Sequence, residues 1–143
     1  MTFAGINYLA ILIAAVAGWL AGAVYYGVLG TTWVAAQGRT IEEFKAQQAA
    51  MIGKFSGQIP FILAFAANLA MAWVLAGMVG HMGSVTIRSA VISALFAWAG
   101  FVVTTIVVNY SFGGRRYLLA AIDSGYWLVV LVLMGAVIGG MGV

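Results

Sequence analysis

The chain has 143 residues, of which 65% are hydrophobic and only 6% are charged, and its formal net charge is +3. Soluble domains carry about 25% charged residues because their surface must be hydrated, so this composition excludes an ordinary water-soluble domain. The absence of cysteine excludes disulfides, thiolate nucleophiles and thiolate metal sites. The basic residues stand between apolar runs and form no patch with interleaved aromatics, so we expect no nucleic-acid partner.

Four apolar stretches reach the length of about 20 helical residues that a hydrocarbon core requires. They do not alternate between apolar and polar side chains with a period of two, which excludes a transmembrane β-barrel. No basic residue precedes the first stretch, so we expect a retained span rather than a cleaved signal peptide. We therefore predict one all-α domain over residues 1–143, an integral membrane bundle of four transmembrane helices. The predicted spans are 7–29, 59–80, 87–109 and 122–141.

The loop after the first span is predicted to contain a short cytoplasmic interfacial helix over about 41–55. Thr40 and Glu43 fit a capping box, in which the threonine caps the helix and the glutamate reaches back to the N-cap amide. Apolar side chains then recur at spacings that place them on one face: Ile41, Phe44, Met51, Ile52 and Phe55. Such a face predicts a helix lying in the membrane interface. A solvated connector that packs on nothing is the alternative.

The distribution of basic residues predicts the orientation of the chain. The first and third loops hold all the lysines and arginines except Arg88, namely Arg39, Lys45, Lys54, Arg115 and Arg116. Because cytoplasmic loops are enriched in lysine and arginine, we expect these two loops in the cytoplasm. Both termini are then expected outside, in a bacterial inner membrane.

Small residues recur at helical spacing in three of the four spans. Because burial does not drive association in lipid, helices there associate through close packing of small residues and through interhelical hydrogen bonds. The predicted helix-packing residues are Gly18, Gly22, Ser89, Ser93, Ala97, Gly100, Gly135 and Gly139. Three such stripes in a four-helix protein leave one free to contact another copy or a partner, which predicts a homo-oligomer or a subunit of a membrane complex.

Asn68 and Asp123 are the polar residues of the spans that deserve separate interpretation. A buried amide is costly unless it is hydrogen-bonded, so Asn68 is predicted to point at another helix; a ligand or ion contact is the alternative. Asp123 is expected to cap or anchor the start of the fourth helix near Arg115 and Arg116. A proton or cation site at Asp123 is the alternative.

Aromatic residues cluster at the predicted cytoplasmic level of the bundle: Tyr25, Tyr26, Trp33, Tyr110, Tyr117, Tyr126 and Trp127. Tyrosine and tryptophan at this depth usually form an interfacial belt, which is the favoured interpretation. Tyr126 and Trp127, which lie three and four residues after Asp123, would otherwise flank a pocket.

On the predicted outer side, Met78, His81 and Met82 are weak candidates for a copper(I) site, since thioether and imidazole are soft ligands. Methionine is also a routine filler of apolar helices, so no metal is predicted. Haem would require two axial ligands, and the chain has one histidine, so no cofactor is expected. His81 and Asp123 lie at opposite ends of the bundle and cannot form an acid–base pair, so we predict that the protein is not an enzyme.

Residues spread over three spans also carry a family pattern, most specific over 116–126. They are Asn7, Tyr26, Leu29, Trp33, Gly38, Trp98, Gly100, Phe101, Arg116, Leu119, Asp123, Gly125 and Tyr126. With this pattern the chain resembles a family of small bacterial membrane proteins catalogued only as a domain of unknown function. The resemblance implies a four-span architecture over almost the whole chain and no known activity. It adds weight to Asp123 and Tyr126 as a cytoplasmic-side site.

Two functional hypotheses follow. The first is a structural or accessory membrane protein, in contact with lipid and assembled with itself or with other subunits. The second is a small transporter or channel, because transport sites need polar groups within the membrane. Its polar path would contain Asn68, Thr104, Asn109, Asp123 and Tyr126.

Overall fold

The computed structural model describes residues 2–3 and 5–143, and six α-helices account for most of them. They are α1 (Tyr8–Ala36), α2 (Ile41–Met51), α3 (Ile59–His81), α4 (Ile87–Ala97), α5 (Thr104–Phe112) and α6 (Tyr117–Met141). A 3₁₀ turn, Phe55–Gly57, precedes α3, and a π-helical segment, Trp98–Val103, joins α4 to α5. Near the N-terminus, Thr2–Phe3 pairs antiparallel with Ile6–Asn7.

Four helical segments are long and apolar enough to cross a membrane, which confirms the predicted four-span class. They are α1, α3, the continuous segment Ile87–Phe112 formed by α4, the π-helix and α5, and α6. Two boundaries differ from the sequence prediction by five residues or more. Helix α1 continues to Ala36, so its 29 residues extend about 43 Å. Helix α6 already begins at Tyr117.

Helix α6 lies at the centre of the bundle and packs against α1, α3 and α4. Its Val130, Met134 and Ile138 are fully buried. Asn7 ties the ends of α1 and α6 together, because its amide Nδ2 donates to the Met141 carbonyl at 3.2 Å. Since α1 and α6 run in opposite directions, the start of α6 lies beside the end of α1.

Both GxxxG pairs pack between helices of the same chain. A Cβ on Gly135 would lie 2.9 Å from the Ala90 carbonyl oxygen, and one on Gly139 would lie 2.5 Å from that of Thr86. On α1, a Cβ on Gly18 would lie 3.0 Å from side-chain atoms of both Met134 and Val130. These glycines allow α1 and α4 to approach α6 at distances that a side chain would prevent.

The small-residue stripe of the third span divides at the π-helix. Ser93 is buried and donates to the Ser89 carbonyl at 2.8 Å. Gly100 and Thr104 are exposed; the Thr104 hydroxyl donates to the Gly100 carbonyl, and a Cβ on Gly100 would meet no atom within 4 Å. A π-helical turn adds a residue to the helical repeat and rotates the following side chains, so the stripe does not continue along one face. Any packing role of Gly100 therefore concerns a second molecule.

Helix α2 has the predicted capping box: the Glu43 amide donates to the Thr40 hydroxyl at 3.2 Å, and the Thr40 amide donates to the Glu43 carboxylate at 3.0 Å. The helix ends at Met51 rather than at residue 55, and Gly53 follows with a φ of 77°. Phe44 packs edge-on against Trp33 of α1, with ring centroids 5.9 Å apart. No residue of α2 is buried, so the helix rests on the end of α1 without entering the bundle.

Candidate functional site

The Asp123 side chain accepts hydrogen bonds from two other spans. Its Oδ1 accepts from the Tyr26 hydroxyl at 2.7 Å and from the Trp33 indole at 3.0 Å, both on α1. Its Oδ2 accepts from the Tyr110 hydroxyl on α5 at 2.7 Å. Hydrogen bonds to an ionised acceptor are stronger than those between neutral groups. Asp123 therefore fastens α1, α5 and α6 together at one end of the bundle.

The local helices explain why these donors converge. Tyr26 and Trp33 are seven residues apart on α1, about two turns, and so lie on the same face of the helix. Tyr110 lies in the last turns of α5, which returns to the end of the bundle where α6 begins. The turn between α5 and α6 is closed by the Arg115 amide, which donates to the Tyr110 carbonyl at 2.8 Å. Gly114 has a φ of 63° in this turn, a conformation that favours glycine.

The backbone on either side of Asp123 is also held by aromatic donors. The Tyr25 hydroxyl donates to the Ile122 carbonyl at 2.7 Å, and the Trp98 indole donates to the Ser124 carbonyl at 2.8 Å. Three consecutive residues of α6 are thus fixed by side chains from neighbouring spans. This support fixes the position of the carboxylate, as the orienting groups of a binding site do.

Two sequence interpretations are wrong at this point. Asp123 does not cap a helix, because α6 begins at Tyr117 and its first turn contains no acidic residue. Tyr26, Trp33 and Tyr110 do not form a simple interfacial belt, because their polar atoms bind Asp123 inside the protein. Tyr117, which is exposed, retains the belt interpretation.

An open pocket of about 220 Å³ lies beside Asp123. Its lining residues are Trp33, Gln37, Tyr110, Arg115, Leu119 and Asp123. The Gln37 Nε2 is buried and has no hydrogen-bond partner. Arg115 also lines the pocket, but its side chain does not donate to the Asp123 carboxylate. We call this cavity the Asp123 pocket.

Asn68 and Tyr126 lie deeper in the bundle. Asn68 is fully buried; its Nδ2 donates to the Ala64 carbonyl at 2.8 Å, whereas its Oδ1 has no hydrogen-bond partner and contacts Gly18 of α1. Tyr126 is buried against Gly22, and its ring centroid lies 5.1 Å from that of Tyr26. Tyr126 thus connects the region of Asn68 with the donors of Asp123.

The structure separates the remaining residues of the predicted polar path from this interior. Thr104 and Asn109 are both exposed on the third span. The Thr104 hydroxyl is already bonded to its own helix. The structure therefore places Asn68 and Tyr126 in the interior and Asp123 at one end of the bundle, but leaves Thr104 and Asn109 on the outer surface.

The weak copper candidates lie at the other end of the bundle. His81 and the Gly77 carbonyl form a hydrogen bond through Nδ1 at 2.8 Å. The Met82 sulfur lies 3.8 Å from the Ser93 hydroxyl oxygen, and Met78 is exposed. Within the described residues, no three side chains of the His, Cys, Asp and Glu types are grouped closely enough to hold a metal ion.

Comparison with known proteins gives one match. Residues 9–139 match the model of a family described as "Protein of unknown function (DUF1761)". No curated protein matches the chain, and no solved structure matches it.

Proposed function

The chain belongs to the DUF1761 family of proteins of unknown function, and from its geometry we propose that it is a ligand-binding membrane protein whose site is the Asp123 pocket. The observation that carries this proposal is the combination of a firmly held carboxylate with an open polar cavity. A carboxylate that only tied helices together would need its three donors and no cavity. Here the cavity is also lined by Arg115 and Gln37.

The charges at the pocket support a ligand. Arg115 and Asp123 both line it, and no hydrogen bond joins their side chains. The remaining groups of the pocket position a ligand but pair no nucleophile with a base, so we propose binding rather than catalysis.

We further propose that the pocket opens at the cytoplasmic end of the bundle, in a bacterial inner membrane, with both termini outside. The distribution of basic residues supports this orientation. Because the chain has no cysteine, single introduced cysteines report the orientation of the chain directly. We expect Ser84→Cys, in the second loop, to react with a membrane-impermeant maleimide in intact cells. We expect Ser56→Cys, in the first loop, to react only after permeabilisation, and the opposite pattern would reverse the proposed orientation.

The binding proposal is tested by native mass spectrometry of the full chain released from membranes with its lipids. We expect the wild type to carry a stoichiometric non-protein mass, and Arg115→Gln to lose it. Arg88→Gln, which changes an arginine at the other end of the bundle, is the matched control and should retain the mass. Equal spectra for all three proteins would refute binding at the Asp123 pocket.

An accessory role in a homo-oligomer or larger complex is the second candidate. It is supported by the third span, where only 11% of the most apolar stretch is buried, against 44% in α6. Phe96 and Phe101 project from this span and are about three-quarters exposed. The same native spectra measure the number of copies and any foreign subunit. A complex containing one copy and no other protein would contradict this role.

A further inference from the structure

We propose that the ligand of the Asp123 pocket is a small zwitterion, in which a primary ammonium is joined by a short linker to a phosphate or carboxylate. This inference rests on the proposed binding function and names the ligand class. The phosphoethanolamine headgroup of a membrane lipid has this chemistry, and so do free phosphoethanolamine and α-amino acids. The two charges of such a ligand suit the hydrogen-bonding positions of the pocket that are still free.

The anionic half of the ligand is assigned to Arg115. A guanidinium offers five N–H donors in a planar fork that matches phosphate and carboxylate oxygens. Arg115 lines the pocket, so an anion bound there can accept from it.

The cationic half is assigned to Asp123. A carboxylate has about four acceptor positions, two on each oxygen. Tyr26 and Trp33 occupy both positions on Oδ1, whereas Tyr110 occupies one position on Oδ2. Oδ2 therefore has one acceptor position left, which suits an N–H of an ammonium. The rings of Trp33 and Tyr110 also line the pocket, and aromatic faces attract cations.

The charges of the pocket exclude simpler ligands. An anion without a cationic group would bring its charge close to the Asp123 carboxylate, and a cation without an anionic group would face Arg115. A zwitterion places each charge beside its opposite, which is the electrostatic complementarity that determines specificity. Because Arg115 and Asp123 line the same pocket of about 220 Å³, the two charges of the ligand must lie close together.

The primary ammonium distinguishes this proposal from general lipid binding. A quaternary ammonium, as in phosphocholine, has no N–H and cannot donate to Oδ2. Loss of one charged hydrogen bond weakens binding by about tenfold or more. We therefore expect phosphatidylethanolamine to bind about tenfold more tightly than phosphatidylcholine, if the ligand is a lipid.

The experiment uses the purified full chain in detergent, titrated separately with phosphatidylethanolamine, phosphatidylcholine, phosphatidylglycerol and free phosphoethanolamine. Bound species are measured by native mass spectrometry. We expect the ethanolamine compounds to bind best. Arg115→Gln should weaken the binding of every phosphate-containing ligand, whereas Arg88→Gln should bind each of them as the wild type does. Competition by free phosphoethanolamine identifies a solute site, and tight binding of the lipid alone identifies a headgroup site.

The possible results test the ligand class separately from the proposed binding function. Equal binding of the ethanolamine and choline lipids, or tighter binding of phosphatidylglycerol, would refute the zwitterionic ligand class. The proposed binding function of the pocket would stand. Absence of any Arg115-dependent ligand, both here and in protein released from native membranes, would overturn the proposed function as well.

Discussion

Replacing Asp123 by alanine is expected to destabilise the protein by about 2–4 kcal/mol. The substitution removes the acceptor of three hydrogen bonds and leaves the Tyr26, Trp33 and Tyr110 donors without partners at the ends of two other spans. Each unpartnered donor carries a desolvation cost, and because all three are only half-buried, water will recover part of it. Thermal or denaturant unfolding in mild detergent measures the loss.

A double-mutant cycle isolates the contribution of the hydrogen bonds. Tyr110→Phe should destabilise the wild type by about 1 kcal/mol and have almost no further effect in Asp123→Ala, because its acceptor is already absent. Tyr117→Phe, at an exposed tyrosine in the first turn of α6, is the matched control. Additive effects of Tyr110→Phe and Asp123→Ala would show that the two side chains do not interact.

Replacing Gly139 by alanine is the second change with a large expected effect. The added Cβ would lie 2.5 Å from the Thr86 carbonyl oxygen and 2.6 Å from the Ile87 Cα. Both are backbone atoms at the start of α4, so the helices must separate to admit a methyl group. Overpacking of this kind costs about 1–3 kcal/mol, whereas alanine is otherwise favoured over glycine in helices by about 1 kcal/mol.

The matched control for this substitution is Gly27→Ala on α1, where the Cβ would meet no atom within 4 Å. We expect a lower unfolding temperature for Gly139→Ala and an unchanged or higher one for Gly27→Ala. If the two variants were equally stable, α4 and α6 would not be in backbone contact at Gly139.

The four-span class was predictable because lipid forces an apolar segment of this length to satisfy its own hydrogen bonds as a helix. The end of α1 was not predictable from hydropathy. The apolar run is interrupted by Gly30, Thr31 and Thr32, so hydropathy places the end near Leu29. The helix continues because Ala36 packs with Leu119 and Ile122 and because Trp33 binds Asp123. These contacts lie far apart in sequence and leave no local pattern.

The π-helix also has no hydropathic signature. Trp98–Val103 is as apolar as its flanks, and the prediction of a continuous small-residue stripe assumed an undisturbed α-helical repeat. One additional residue per turn rotates Gly100 and Thr104 outward. The stripe was therefore predicted correctly as far as the buried Ser93, but its continuation faces away from the rest of the chain.

The site was predicted in part. Asp123 and Tyr126 were identified as candidates, but Tyr26, Trp33 and Tyr110 were attributed to an aromatic belt. Hydropathy gives the level of a residue along the membrane normal and not the direction in which its side chain points. A usable signal was present for α1: Tyr26, Trp33 and Gln37 follow at steps of seven and four residues, which places them on one face. Gln37 was missed because it follows the apolar run.

The most direct test of the central claim is a density map of the protein purified with its native lipids. We predict non-protein density in the Asp123 pocket, within hydrogen-bond distance of the Arg115 guanidinium. The three hydrogen bonds to Asp123 should be intact beside it. A pocket closed by a direct Arg115–Asp123 ion pair, or one filled by water alone, would contradict a ligand-binding function for this site.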